Sequence, residues 1–450
     1  MTGSEQSQSP RSLRALIPAT LVQPGAGGFW LAVVLTGLGA GLSAAGLTLL
    51  LDAVQHVMWP GSGTLLEAAT RAGAWRHVLV LIGAGLVTGA GQIVLVRLSS
   101  GNGIDITGAL WFSAGRLPAL RTLGSAVLSV IIVGMGVSLG REGAPKQAGA
   151  VIANALSDKA TLSDEQRRLL VACGAGAGMA AAYGVPLGGA LFALEVLRGI
   201  LALRLVLPAL LTALIATAVS WLALPDAPTY SFPAYPLSAS IIVWALFAGP
   251  IIGLVSVGFV RMIAWADHNK PTGWLRLLAP SIALGLLGLV SIPFPQLLGN
   301  GKDLAQLTFV GDVAPGLLLA LLLLKPAFTF LCLGCGAPGG LFTPTLTFGA
   351  LLGAVLGYVW SSFWPGAPAG LFAVVGAAAL LAATTQGPIS AVVLIMELSG
   401  RDRSFIVPVL LAVVAATLVA RTIEPRSIYD ARLTDEEVEA RLKAREPAPK

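Results

Sequence analysis

Continuous apolar runs of about 20 residues, each long enough to cross a bilayer as a helix, recur from Phe29 almost to Arg421. LAVVLTGLGAGLSAAGLTLLL carries no charge, and HVLVLIGAGLVTGAGQIVLVRL carries none before Arg97. Strands of a transmembrane barrel would be shorter and would alternate apolar with polar residues. The chain therefore reads as an all-α, polytopic membrane protein. Hydrophobic residues make up 56% of it and charged ones 11%, too little polar surface to cover a soluble globule. The apolar material is spread over many spans, which excludes a soluble enzyme on a single anchor.

Glycine occupies 54 of 450 positions, and it lies inside the apolar runs as often as between them. Small residues let helices approach closely, and they break helices readily. Cys173, Cys332 and Cys335 all lie in apolar segments, and His56, His77 and His268 have no ligand spacing. Neither a disulfide frame nor a metal site is expected, and no cofactor. The net charge of +6 gathers at the ends and in short connections, a pattern of topology and lipid contact, not of nucleic-acid binding. Residues 1–28 lack the layout of a signal peptide and read as a cytoplasmic tail. The charged run 426–450 reads as a short cytoplasmic amphiphilic helix or tail.

Comparing the chain with itself exposes a duplication. GVPLGGALFALEVL sets Pro186 nine residues before Glu195, and QGPISAVVLIMELS sets Pro388 nine before Glu397, an offset of 202. Glycine-rich turns at Gly140 and Gly339 open apolar runs at nearly the same offset. Two repeats, 29–225 and 240–425, are expected around a proline-rich connection at 226–239. Spacing does not tell inverted copies from parallel ones.

Three glycine-punctuated segments, SGNGIDITG (100–108), GREGAPKQAG (140–149) and GAPGGLFTPTLTFG (336–349), each look like a helix start. A broken helix is tolerated in a membrane only where its freed backbone groups are buried in protein or line a watery cavity. Such a break offers N–H donors and the positive end of a helix dipole, an anion site without a full positive charge. An ion held by dipoles alone can leave again. Glu142 stands in the middle segment, beside Arg141. A carboxylate at depth costs on the order of 2.5–3.5 kcal/mol for Asp on insertion scales, which points to a task. Facing helix N-termini, it would occupy the anion position itself and vacate it on protonation. The alternative is a salt bridge with Arg141.

In this order and spacing, GREG with Gln147 and Gly149, the AGAGMAAAYGVPLGGALFALE stretch and GAPGGLFTP resemble the CLC family of chloride channels and transporters over nearly the whole hydrophobic chain. The resemblance implies two inverted repeats with broken and re-entrant helices meeting at a central anion site. It also implies a homodimer, and chloride and protons as partners. By motif, Glu142 becomes the gating and proton-coupling glutamate. Leu341 and Phe342 become backbone donors to the anion, and Tyr429 becomes the tyrosine closing the inner side. The candidate anion-binding set is completed by Asn102, Gly103, Ile104, Arg141 and Gly143.

Two departures bear on function. Where the family usually reads GSGIP, this chain has Gly101, Asn102, Gly103, Ile104 and Asp105, which keeps fluoride open as the anion because a fluoride-exporting branch also lacks the serine. The position of the family's inner proton glutamate is Val196, leaving Glu195 as a possible inner proton route or, with Glu397, a structural helix-end group. The reading is proton-coupled chloride exchange. Its alternatives are a passive chloride channel, a fluoride/proton antiporter and, remotely, an intramembrane enzyme. A multi-pass place in a bacterial-type inner membrane is expected. Lys146 reads as a snorkelling side chain or a source of positive potential along the path, the former favoured. Lys325, before Pro326, reads as a helix-end charge.

Overall fold

A computed structural model describes residues 26–98, 106–400, 405–433 and 436. Up to Ser220 it contains α1 (Ala26–Met58), α2 (Leu65–Arg71), α3 (Ala74–Leu98), α4 (Ile106–Phe112) and α5 (Ala119–Gly134). α6 (Gly143–Lys159), α7 (Asp164–Tyr183) and α8 (Pro186–Leu191) follow, then a π-helical turn over Phe192–Arg198, then α9 (Leu203–Ser220). Beyond a non-helical connection come α10 (Ala239–His268), α11 (Leu275–Ser291), α12 (Lys302–Val310) and α13 (Pro315–Gly334). α14 (Phe342–Ser361), α15 (Ala369–Thr385), α16 (Pro388–Ser399) and α17 (Ile406–Ile423) complete the set. Seven of these, α1, α3, α9, α10, α13, α14 and α17, are long and apolar enough to span a membrane.

The helix starts follow from sequence. Pro186 and Pro388 stand in the first turn of α8 and α16, where a missing N–H costs nothing. Ser163 caps α7 in a reciprocal box with Gln166. α7 ends at Gly184 with φ of 68°, and α15 ends 202 residues later at Gln386 with φ of 59°. A side chain is strained there, and Gln386 is secured by Arg421, which donates to its side-chain oxygen and its carbonyl at 2.9 Å.

Glycines set the packing. A Cβ on Gly149 would strike the Gly174 carbonyl, joining α6 to α7, and one on Gly349 or Gly353 would strike α15 backbone at Gly376 or Phe372. In the same way Gly41 of α1 meets Ala216 of α9, and Gly253 of α10 meets Ala416 of α17. Backbones in contact give close dispersion packing where lipid removes any hydrophobic drive between helices. Equivalent pairs thus recur about 200 residues apart.

The contacts between the copies are reciprocal. Gly140 N donates to Gly340 O at 2.7 Å and Gly340 N to Gly140 O at 2.8 Å, an antiparallel bridge between corresponding turns. Glu195 accepts from the N–H groups of Ile389 (3.1 Å) and Ser390 (2.6 Å) at the start of α16. Glu397 accepts from Leu187 (3.0 Å) and Gly188 (2.6 Å) at the start of α8. Reciprocity of this kind is the signature of a two-fold relation. It also sets the N-termini of α6 and α14 against each other, so the two helices leave a common centre.

Lys325 departs from its sequence reading. α13 continues through Pro326, and the side chain is 0% exposed. Its Nζ donates to Ser138 Oγ (2.9 Å), Leu297 O (3.0 Å) and Gly299 O (3.0 Å), so it ties α13 to the turn before Gly140. An apolar helix face against protein looks like one against lipid in sequence, and for that reason burial was not legible.

Candidate functional site

The centre of the molecule is where the starts of α6 and α14 meet. Glu142, immediately before α6, is 0% exposed. Phe342 N, the first N–H of α14, donates to its Oε1 at 2.6 Å. The hydroxyls of Tyr183 and Thr343 each lie 3.4 Å from Oε2 and 2.7 Å from each other. A carboxylate oxygen thus faces the start of α14, where the N–H donor and the helix dipole both favour negative charge. The space around it is tight. A Cβ on Gly140 or Gly340 would fall on the carboxylate, so a side chain at either position would displace Glu142 from this place.

Arg141 does not take the carboxylate. Its guanidinium carbon lies 5.0 Å from the centre of the Tyr183 ring, a cation–π contact that stiffens the tyrosine holding Glu142. Gly143, the first residue of α6, packs against the backbone of Gly339 and Gly340, and Leu341 is the residue before α14. Asn102, Gly103 and Ile104, with Asp105, lie outside the described residues.

A cavity of about 420 Å³ reaches this centre and is lined by Gly143, Lys146, Gly340, Leu341 and Tyr429. Tyr429, named in the sequence only through the family resemblance, is brought there by the segment after α17. Ile428 N donates to Thr384 O at 2.7 Å, and Glu424 accepts from Arg261 at 3.0 Å and Arg426 at 2.6 Å. Burial by itself would raise the Glu424 carboxyl, but hydrogen bonds from Arg426 and Arg261 and their charges outweigh it and hold the group below its ordinary range. The clamp is therefore ionised at neutral pH and releases only as pH falls through that lowered value.

Lys146 corrects the favoured sequence reading, because it does not snorkel. It is 6% exposed, with Nζ 3.5 Å from the Tyr429 hydroxyl and 4.9 and 5.1 Å from the ring centres of Tyr429 and Phe192. The site expected to rest on dipoles alone therefore has a buried cation beside it. Tyr183 and Thr343 were missed altogether. The available signal was weak: a single tyrosine and a threonine at the ends of otherwise apolar or glycine-rich segments.

Glu195 borders a second cavity of about 840 Å³ together with Val196, Arg198, Thr385 and Gln386, but both its oxygens are engaged at the start of α16, where the Ser390 hydroxyl adds a third donor at 2.6 Å.

The sequence profile of the voltage gated chloride channel family matches residues 84–421. The chain is 31% identical over 378 residues to the voltage-gated ClC-type chloride channel ClcB of Citrobacter koseri, covering 82% of this chain and 89% of that protein. It is 33% identical over 380 residues to ClcB of Escherichia coli O157:H7, covering 82% and 89%. Among solved structures, a slow cyanobacterial Cl⁻/H⁺ antiporter superposes with a TM-score of 0.77 at 22% identity, over 94% of this chain and 99% of that one. A CLC-type fluoride/proton antiporter superposes at 0.66 with 24% identity, over 90% and 98%.

Proposed function

Because this chain belongs to the voltage gated chloride channel family, we propose that it carries chloride across the membrane in exchange for protons, with Glu142 as the gate. The observation that carries the reading is the 2.6 Å bond from Phe342 N to the buried Glu142 carboxylate. An ionised carboxylate and a chloride ion compete for the same helix start. Protonation removes the charge that holds Glu142 there, the side chain leaves, and chloride takes its place; deprotonation reverses the exchange. The cavity running from Tyr429 to Leu341 supplies the approach from one side.

An uncoupled channel is the second reading. Val196 offers no proton acceptor, and the Glu195 oxygens are committed to the α16 start. Glu195→Gln, which keeps an acceptor oxygen, is expected to cost about 1 kcal/mol of stability and to leave proton flux unchanged; lost proton flux at full stability would make Glu195 the inner route.

On the same footing we assign repeats 29–225 and 240–425 joined by 226–239, a homodimer, a bacterial-type inner membrane with both termini cytoplasmic, and a transporter rather than an enzyme. Simultaneous chloride and proton flux from liposomes holding the purified protein tests the proposal. A chloride gradient should drive protons uphill. Chloride efflux without protons selects the channel, and fluoride transport with silence toward chloride selects fluoride as the substrate.

A further inference from the structure

Two hydroxyls from different helices meet at the Glu142 carboxylate. Tyr183 is the last residue of α7 and Thr343 stands in the first turn of α14; both are buried, and their oxygens lie 2.7 Å apart. Each also lies 3.4 Å from Glu142 Oε2, while Oε1 takes the Phe342 N–H. A hydroxyl has one hydrogen to give. Two hydroxyls have two, and the contact between them uses one, whichever of them donates. One hydrogen is left for Oε2. Arg141, over the Tyr183 ring, has donors only and draws no hydrogen from the pair. The other charged or titratable groups facing this place are Tyr230 of the connection between the repeats and, beyond it, Lys302 and Asp303 of α12. Lys146 of α6 turns toward Tyr429.

Resting on the reading of Glu142 as the gate, we propose that Tyr183 and Thr343 are its positioning residues. Together they deliver one hydrogen to the ionised carboxylate, and so set how acid the solution must become before the gate leaves. A hydrogen donated to a carboxylate favours the charged form, and protonation exchanges that bond for a weaker neutral one. Sharing gives the pair a property that neither residue has alone. When one hydroxyl is removed, the other loses its partner and turns its own hydrogen to Oε2. The count at the carboxylate stays at one. Only the loss of both hydroxyls leaves Oε2 without its donor.

The pH profile of chloride flux from liposomes holding the full-length protein tests this in Tyr183→Phe, Thr343→Val and the double variant. Phenylalanine keeps the ring beneath Arg141, and valine keeps the shape of threonine. Each single variant should move the midpoint of the profile by less than about 0.3 pH unit, whereas the double variant should raise it by about one unit, the effect of losing one charge-assisted hydrogen bond. A midpoint unmoved in the double variant overturns the proposal. So does one single variant that reproduces the full shift, or two whose separate shifts add up to it. Tyr183→Phe combined with Thr343→Ser restores one hydroxyl and should return the midpoint to the wild-type value; a midpoint that stays raised would assign the effect to packing and refute the shared hydrogen. Should the double variant fail to assemble, Tyr183→Phe with Thr343→Ala takes its place. The gate reading fails separately, if chloride flux in Glu142→Gln keeps the wild-type dependence on pH.

Discussion

Glu142→Gln is expected to reduce proton flux to the background of protein-free liposomes while chloride flux persists and loses its dependence on pH. The amide cannot take up or release a proton in the accessible range, so the step that couples the two ions disappears. It also weakens the occupant of the anion position. A charge-assisted bond such as the one from Phe342 N contributes roughly 1.5–3 kcal/mol, about twice a neutral one. Chloride competing for that N–H should accordingly bind about tenfold more tightly to Glu142→Gln than to the wild type at neutral pH. Paired flux and calorimetry on one preparation check both effects. Undiminished proton transport in Glu142→Gln would remove this residue from the mechanism.

Lys325→Met is expected to have the largest effect on stability. The ammonium satisfies Leu297 O, Gly299 O and Ser138 Oγ, all in a region closed to water. Serine can turn its hydroxyl elsewhere, but the two carbonyls are left without a donor at about 1–3 kcal/mol each, so the loss should be roughly 2–6 kcal/mol. Thermal unfolding in detergent, compared with an exposed control such as Lys159→Met, measures it. Because Ser138 lies two residues before Gly140, the variant should also loosen the Gly140–Gly340 bridge. A melting temperature equal to that of the wild type would show that the lysine is not a structural tie.

How much of this was legible in the sequence depends on the residue. Glu195 and Glu397 stand at the same offset from Pro186 and Pro388, and that equality pointed to matched helix-end roles; the structure shows each carboxylate at the other copy's helix start. Glu142 stood out because a charge at a glycine-rich break inside apolar runs is rare, whereas Phe342 was pointed to only by the family resemblance of GAPGGLFTP. Lys146 and Lys325 were misread for a common reason. A lysine in an apolar helix can reach the lipid interface or bury against protein, and the choice depends on neighbours tens or hundreds of residues away, here Tyr429 for one and Leu297 and Gly299 for the other. Tyr183 and Thr343 were invisible because what makes them important is the carboxylate they touch.

The sequence by itself determined a multi-pass helical chain, its internal repetition, the positions of its helix breaks and the glutamate standing at one of them. Each of these follows from local chemistry: run length, helix-breaking residues and the cost of a charge at depth. Only the tertiary structure decided that two breaks meet across a pair of glycines, that Glu142 is held by an N–H and two hydroxyls while Arg141 turns to a ring, and that two lysines are buried. In a bilayer both the lipid-facing and the protein-facing sides of a helix are apolar, so hydropathy records that a helix crosses the membrane but not which of its faces meets another helix.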